Sequence, residues 1–408
     1  MSTDTDILIV GGGLAGPALA LALARNGLSC HVLDAAPAET LGDPDFDGRA
    51  YALALSTRRM LDQLGLWSGV ADKAEAIRDI RVSDGQAGQG ASPLFLHFDH
   101  NEITEGPMGH MLEDRFLRRA LATAVADHPA ITLKHSARVV AQDSTPGNVS
   151  VTLEDGTKHH ARLLIGADGR ASGTAARAGI SRTGWDYGQT SLVGALTVEK
   201  PHNGVAQQMF FPEGPLAVLP LTGQRVSIVW TESRDRARDI MAMDDEGYLA
   251  ALRPRFGSYL GNIALAGKRY SYPLGLSLAS AITAPRLALV GDAAHGIHPL
   301  AGQGLNLGLR DVAALAEVLV TAHRRGEDIG AADVLERYRR WRGFDIAMLA
   351  TATDGINRIF SNDNPLLRLG RTLGLGAVNA LPGARRRLIR EAAGLTGDLP
   401  RLLQGQPI

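Results

Sequence analysis

An α/β fold with an inserted, mainly antiparallel β-sheet and a helical C-terminal region is predicted by three features of the sequence. The first is a complete β-α-β unit, Asp6 to Asp34, whose first turn carries the pattern Gly11-x-Gly13-x-x-Gly16. The second is a change of character after Gly179, where short β-rich runs alternate with Pro/Gly/Asn turns. The third is a late strand, glycine-rich turn and helix, Leu287 to Val320.

Length and composition bound what such a fold can do. A chain of 408 residues accommodates about two domains. Lys+Arg of 42 against Asp+Glu of 43 leaves a net charge of -1, which argues against nucleic acid as a partner. The lone Cys30 sits in the apolar run Leu28 to Leu33 and can make no internal disulfide, so a reducing compartment is expected. Between Met1 and Asp6 there are only acidic and hydroxyl side chains, unlike a signal peptide. The most apolar run, Leu14 to Ala24, is broken by Gly16-Pro17 and followed by Arg25, and falls short of the ~18 residues a spanning helix needs. A cytoplasmic protein is expected.

In order along the chain, Asp6 to Val10 reads as a buried strand, the Ala/Leu-rich run to about Asn26 as a helix ended by Gly27, and His31 to Leu33 as the second strand. Gly11 and Gly13 allow a tight turn and close approach to a pyrophosphate, with Leu14 and Ala15 opening the helix whose N-terminus meets the negative charge. Gly16 lets that helix pack on the sheet, and Asp34, 23 residues beyond Gly11, is placed to accept from ribose hydroxyls. A dinucleotide site is expected. Asp43 to Ser56 opens with turn residues, after which a helix is expected from about Arg49 through Met60 to Leu66; Arg49 is either a phosphate partner or a solvated surface cation.

Ile80 to Ser83 and Leu94 to Phe98 read as strands that leave the nucleotide core for another sheet, separated by a turn from Asp84 to Ser92. A helix from Arg115 to Val125 returns to the core, followed by a small antiparallel meander, Ile131 to Leu133, Ala137 to Gln142 and Val149 to Leu153, turning at Asp155-Gly156. The buried run Ala161 to Ile165 ends at Asp168-Gly169, with Ser172 beginning a helix; Asp168 either contacts ligand at the strand end or caps the turn.

Thr190 to Val198, Val205 to Phe211, Leu216 to Leu221 and Arg225 to Thr231 read as strands of the inserted sheet, crossed by helices between Ala237 and Phe256, with Tyr270 to Leu274 as the return crossing. Leu287 to Val290 is then a strand, Gly291 to Asp311 a glycine-rich turn, and Val312 to Val320 an apolar helix. The Asp292 carboxylate suits a polyol better than a phosphate because it can only accept hydrogen bonds. Gly302, Gln303 and Gly304 mark close backbone approach to something flat. His295 and His298 bracket Gly296 with no cysteine or carboxylate cluster nearby, so no metal site is expected. No Gly-x-Ser-x-Gly elbow is present, and three nucleotide-type turns point to a redox cofactor as the carrier of the chemistry.

The expected organisation is a nucleotide-binding domain of residues 1–75, 105–182 and 273–345, a substrate domain of 76–104 and 183–272, and a helical region of 346–408. In that last region Leu366, Leu367, Leu369 and Leu373 alternate with Arg368 and Arg371, and Arg385 to Arg390 is basic. It reads either as a surface for anionic lipid or a partner subunit, or as an ordinary solvated helix.

With Gly11 to Gly16, Asp34, Gly166-Ala167-Asp168-Gly169, Gly291-Asp292, the run Ala294 to Pro299 and the tail from Phe360 through Pro365, Pro382, Arg390 and Gly394 in view, the chain resembles the flavoprotein monooxygenases of the para-hydroxybenzoate hydroxylase type, and among them the ubiquinone-biosynthesis hydroxylases. The resemblance covers nearly the whole chain. It implies a Rossmann-like FAD/NAD(P)-binding domain with FAD bound by Gly11, Gly13, Leu14, Ala15, Gly16, Asp34, Arg49, Arg115, Asp168, Gly169, Gly291, Asp292, Gly302, Gln303, Gly304, Leu305 and Asn306. NAD(P)H, with a slight preference for NADPH, would reduce FAD, and O2 would form a C4a-hydroperoxyflavin that hydroxylates a polyprenylated phenol or quinone precursor. His298, Pro299 and Gly302 would line the reactive side of the flavin, with no side chain acting as nucleophile. The resemblance further implies approach to the inner face of the cytoplasmic membrane or to a ubiquinone-biosynthesis complex, and a homo-oligomer is compatible with it. Asp34 stands where the family more often has Glu, and Ala175 where it has Arg, with Arg177 as the nearby substitute. The alternatives are a hydroxylase of a soluble aromatic or polyketide substrate, a prenyl-chain reductase, and a non-catalytic FAD-binding scaffold; the Trp-x-Trp-x-Ile run of a halogenase is absent.

Overall fold

The computed structural model describes residues 3–38, 47–86, 88, 90–297, 302–360, 374 and 376–408. Its N-terminal unit follows the apolar pattern: β1 (Thr5–Val10), α1 (Ala15–Ala24) and β2 (Cys30–Leu33), with the strands parallel and Val10 opposite Leu33. Gly16 to Ala24 are all buried, as a helix apolar on every side must be. Each fully buried leucine of that helix contributes about 1.5–3 kcal/mol of transfer free energy.

The next elements are β3 (Ala50–Ala54), α2 (Leu55–Gln63), β4 (Glu75–Ile77), β5 (Asp79–Gln86), β6 (Gly90–Asp99) and β7 (Gly109–Glu113). The helix expected from Arg49 therefore starts six residues later, and Ala50 to Ala54 is a strand. Alanine and leucine favour helix, yet β3 pairs antiparallel with β7, which also pairs with β4. Strand pairing overrides local propensity here. The predicted turn from Asp84 to Ser92 is shorter than expected, since the strands run to Gln86 and resume at Gly90.

Then come α3 (Asp114–Ala126), β8 (Ile131–Lys134), β9 (Val139–Ser144), β10 (Val149–Leu153), β11 (Lys158–Gly166) and α4 (Gly173–Arg177). Of the predicted meander, β9, β10 and β11 are antiparallel neighbours, whereas β8 lies parallel to β2 at the far side of the sheet. A strand reached through α3 enters as a crossover, which a parallel pair requires.

The β-rich region comprises β12 (Arg182–Val198), β13 (Val205–Phe211), β14 (Gly214–Leu221), β15 (Arg225–Ser233), α5 (Arg234–Ala242), α6 (Asp245–Phe256), β16 (Ile263–Leu265) and β17 (Tyr270–Ala279). Its strands alternate: Leu192, Leu196, Ile228 and Trp230 pack with Ile240, Tyr248 and Leu252 of the two helices, leaving the other face of the sheet free for the site. β5 joins this sheet in parallel beside β13.

The chain ends with β18 (Thr283–Ala284), β19 (Leu287–Leu289), β20 (His295–Gly296), α7 (Gln303–Arg324), α8 (Ala332–Phe360), α9 (Pro382–Ala392) and α10 (Arg401–Gln404). Among the described residues the strands form an eight-stranded sheet ordered β18-β19-β11-β1-β2-β8 with β10 and β9 beyond β11, a nine-stranded sheet ordered β20-β17-β12-β15-β14-β13-β5-β6 with β16 against β12, and the small sheet β3-β7-β4. β20 hydrogen-bonds to β17, so the turn after β19 is stitched to the antiparallel sheet. On α9, Ile389 is buried, Arg385 pairs with Glu102 and Arg390 with Glu105, while Arg386, Arg387 and Leu388 are exposed. No helix among the described residues is long and apolar enough to cross a membrane.

Candidate active site

Three turns converge at the C-terminal ends of β1, β11 and β19, which are neighbours in one parallel sheet. At the first, Gly11 has φ +117°, and a Cβ there would stand 2.3 Å from the Ala167 carbonyl oxygen. The N–H of Gly11 donates to Leu33 O (2.9 Å), tying the first turn to the end of β2, and that of Ala167 donates to Val10 O (2.8 Å), tying the second turn to the end of β1. A Cβ on Gly16 would come within 2.0 Å of Gly11 O, so the helix can pack only with glycine there. Gly13, by contrast, faces open space, and α1, which begins at Ala15 with Leu14 as its N-cap, has no side-chain cap for its first amides. Asp34 lies across Gly12, where a Cβ would be 2.4 Å from its Oδ2. An uncapped helix N-terminus beside an open glycine and a carboxylate is the donor and acceptor set that a pyrophosphate and a ribose need.

At the second turn the Asp168 carboxylate accepts from Ser172 Oγ (2.5 Å), Thr174 N (2.9 Å) and Thr174 Oγ1 (2.9 Å), while Ser172 caps α4 through Ala175 N. The Asp168 side chain thus caps the turn; Gly169 beside it has φ +77° with open space around it. Arg177 reaches inward to Gln142 Oε1 (3.2 Å) and Val139 O (3.2 Å), so it braces α4 against β9.

The third turn is held from beneath. Asp311 on α7 is fully buried; its Oδ2 accepts from Gly291 N (3.0 Å) and lies 2.5 Å from His295 Nε2, and its Oδ1 accepts from Arg342 Nε (2.8 Å). Burial alone would push this carboxyl up, but the charges and hydrogen bonds of His295 and Arg342 outweigh it and hold the group below the usual carboxylate range. Asp292 projects at the surface of this braced turn, 3.4 Å from Arg170 Nε.

The predicted loop through Asp311 is in fact helix from Gln303 onward. Gly304, Asn306 and Gly308 are weak helix formers, but the last two have a tertiary reason. Gly308 meets Gly291, to whose Cα a Cβ would come within 3.2 Å. Asn306 accepts from Ala54 N (2.9 Å) and Thr57 Oγ1 (2.8 Å) and donates to Ala52 O (2.8 Å), so its amide clamps β3 to α7. Gly302 is the N-cap in the left-handed region (φ +65°), with no side-chain cap for the helix. His298 and Pro299 lie outside the described residues, as do residues 361–373 of the tail.

Above this helix start is a cavity of about 570 Å³, within the range of small-molecule sites. Gly302, Gly304, Leu305 and Asp292 line it from one side with Arg170, and Ala50, Tyr51 and Ala52 of β3 form an edge. Val193, Ala217, Leu219, Val229 and Leu274 of the antiparallel sheet make an apolar opposite wall, completed by Ser191, Tyr272 and Pro273. The predicted glycine turn and the predicted second sheet thus meet in one chamber.

The two arginines expected at the cofactor are already engaged. Arg49 binds Asp47 (2.7 Å) and approaches Asp114 (3.4 Å), and Arg115 donates to Glu113 (2.7 Å) and stacks on Phe116. Glu113 also accepts from Arg225 of β15 (2.6 Å), and Asp114 from Tyr51 Oη (2.8 Å) and Arg118 (2.9 Å). Sequence reasoning missed this acidic pair, of which Glu113 bridges the three-stranded and nine-stranded sheets; the signal was Glu113-Asp114 followed by Arg115 and, one helical turn on, Arg118.

Taken together, an open glycine turn, two uncapped helix N-termini and two strand-end carboxylates fit FAD, with the first turn for its ADP half and Gly291 to Leu305 for ribitol and ring. The FAD binding domain family model matches residues 4–346. Over 99% of this chain and 93% of the relative, the sequence is 46% identical to a ubiquinone hydroxylase (UbiL) of Rhodospirillum rubrum. It is 36% identical to the 3-demethoxyubiquinol 3-hydroxylase of Escherichia coli over 96% of this chain and 99% of the relative. This chain belongs to the ubiquinone-biosynthesis FAD-dependent hydroxylase family. It is an FAD-dependent monooxygenase of the kind that takes its electrons from NAD(P)H. With human mitochondrial COQ6, a ubiquinone biosynthesis monooxygenase, the hydroxylase shares 32% identity over 96% of this chain and 93% of the relative. The fold matches that of the Pseudomonas putida p-nitrophenol 4-monooxygenase PnpA, with TM-score 0.80 at 20% identity over 97% of this chain and 99% of the other.

Proposed function

We propose that the hydroxylase acts in ubiquinone biosynthesis, inserting one oxygen atom of O2 into the ring of a polyprenylated phenol precursor at the expense of NAD(P)H. The observation that carries this reading is the single chamber joining the Gly302–Leu305 helix start to an apolar sheet face. Bound FAD supplies the redox chemistry there, accepting a hydride and activating O2. The rest is positioning. Gly11 to Gly16 and Asp34 would hold the ADP half, and Asp292 the ribitol. The uncapped amides at the start of α7 would stabilise negative charge on the ring system as it is reduced, because a helix N-terminus carries a partial positive charge of about half a unit. The wall of Val193, Ala217, Leu219 and Val229 would pack the substrate ring and keep water out, where electrostatic terms weigh more. A polyprenyl tail is too apolar to travel through water, and the exposed Arg386, Arg387 and Leu388 of α9 offer a cationic, partly apolar surface for the inner face of the cytoplasmic membrane.

Deleting the gene from its own host tests the reading. The expected result is loss of ubiquinone and accumulation of a precursor lacking one ring hydroxyl, restored by the wild-type gene. Unchanged ubiquinone, or purified protein that takes up no FAD, overturns it.

A further inference from the structure

One hydroxyl in the cavity wall is used by nothing in the fold. Ser191 lies on β12, is 2 % exposed, lines the cavity, and its Oγ has no hydrogen-bond partner among the described residues. Its neighbours across the sheet are Thr231 on β15 and Tyr272 on β17. Two residues further along the same face stands Val193, opposite Val229, and both are apolar lining residues. Leu192, one position away and so on the other face, packs into the core beneath α5 and α6. Ser191 is thus set in the sheet face that looks into the cavity.

A buried hydroxyl with no partner is less favourable than the alanine it replaces, so the sheet has no packing reason to hold serine here. Nearly all buried polar groups in folded proteins find a partner, and Ser191 lines the cavity with its hydroxyl unpaired. We propose that Ser191 Oγ is the hydrogen-bond partner of a phenolic oxygen on the substrate ring, and that it selects oxygenated rings over plain hydrocarbon ones. A hydroxyl both donates and accepts, so it meets a phenol O–H without any change in its own state. Beside the apolar side chains of Val193, Ala217, Leu219 and Val229, such a bond biases which ring edge is turned toward Gly302 and Gly304. The assignment rests on the aromatic-hydroxylase reading given above.

The test uses the FAD-loaded protein, wild type and Ser191→Ala, titrated with 3-propylphenol and with propylbenzene while the flavin absorbance is followed. In the wild type, the phenol is favoured relative to the hydrocarbon. In Ser191→Ala that ratio falls by roughly three- to tenfold through weaker phenol binding, the size of one neutral hydrogen bond, and propylbenzene binds as before. The ligand-free variant melts no lower than the wild type, since no internal bond is lost. An unchanged ratio in a wild type that does discriminate overturns the role of Ser191 alone. A markedly lower melting point overturns it too, by revealing a structural bond. A wild-type flavin spectrum indifferent to both probes overturns the aromatic-hydroxylase reading, and the Ser191 assignment with it.

Discussion

Asp311→Asn removes the charge on which the Gly291–Asp292 turn, proposed to hold the flavin, stands while keeping the side chain's size. In the wild type this carboxylate is 0 % exposed and serves Gly291 N, His295 and Arg342 together. Arg342 is equally buried, and with Asp311 neutralised its one charged partner among the described residues is Asp345, 2.6 Å away, which is itself shared with Arg310. Leaving one member of a buried ion pair uncompensated costs about 3–5 kcal/mol. An unfolding entropy of about 2.1 cal/mol/K per residue over 408 residues converts this to a drop of about 3–6 °C in melting temperature. Because the lost Gly291 bond is what presents Asp292, FAD affinity should fall as well, by roughly tenfold for one hydrogen bond of about 1–1.5 kcal/mol. Intrinsic tryptophan fluorescence reads the first effect and flavin release into the filtrate the second. The double variant Asp311→Leu with Arg342→Met, which replaces the pair by apolar groups, should regain part of the stability but not the FAD affinity. A single variant melting within about 1 °C of wild type, with FAD retained, would show that the network does not brace the turn.

Asp292→Ala leaves the braced turn intact and removes only the carboxylate at its surface; a charged acceptor lost to a ligand corresponds to about 1.5–3 kcal/mol, or roughly 10- to 100-fold weaker FAD binding by calorimetry, and undiminished binding refutes the ribitol contact. His110 on β7 packs edge-on against Trp67, and burial, reinforced by the Arg58 charge, pushes it from 6.5 down to about 4. The unfolded chain therefore takes up this proton first, so stability is full above about pH 6.5 and is lost as pH falls toward 4, by about 3 kcal/mol in all. Between pH 7 and 5 the wild type should lose ~2 kcal/mol more than His110→Phe in urea unfolding; parallel losses would refute the assignment.

Much of the site was legible because its parts are local. Gly11, Gly16 and Asp34 belong to one short β-α-β unit, and the need for Gly16 follows from sterics within it, where an added Cβ would stand 2.0 Å from Gly11 O, whereas the carbonyl that an added Cβ on Gly11 would meet at 2.3 Å, Ala167 O, comes from the second turn. Asp168 was legible as two alternatives, and the hydroxyls of Ser172 and Thr174 show its carboxylate capping the turn. Ala50 to Ala54 was misread as helix because nothing in Ala-Tyr-Ala-Leu-Ala announces a strand; its partners are β7 and an Asn306 side chain 252 positions away from Ala54. The start of α7 was misplaced for the same reason, since Gly308 looks like a loop residue until Gly291 is seen to need the space.

The sequence by itself determined the cofactor, because backbone amides, glycines and strand-end carboxylates act over a few residues and their spacing survives without a fold. Only the tertiary structure decided what surrounds the cavity: that α7 begins at it, that Asp311 and Arg342 bury their charges under the Gly291–Asp292 turn, that Glu113 ties the three-stranded sheet to the nine-stranded one through Arg225, and that Ser191 lines the chamber unpaired. Burial and charge compensation are properties of packed elements brought together from distant parts of the chain, and periodicity says which face of a strand is apolar but not what that face will meet.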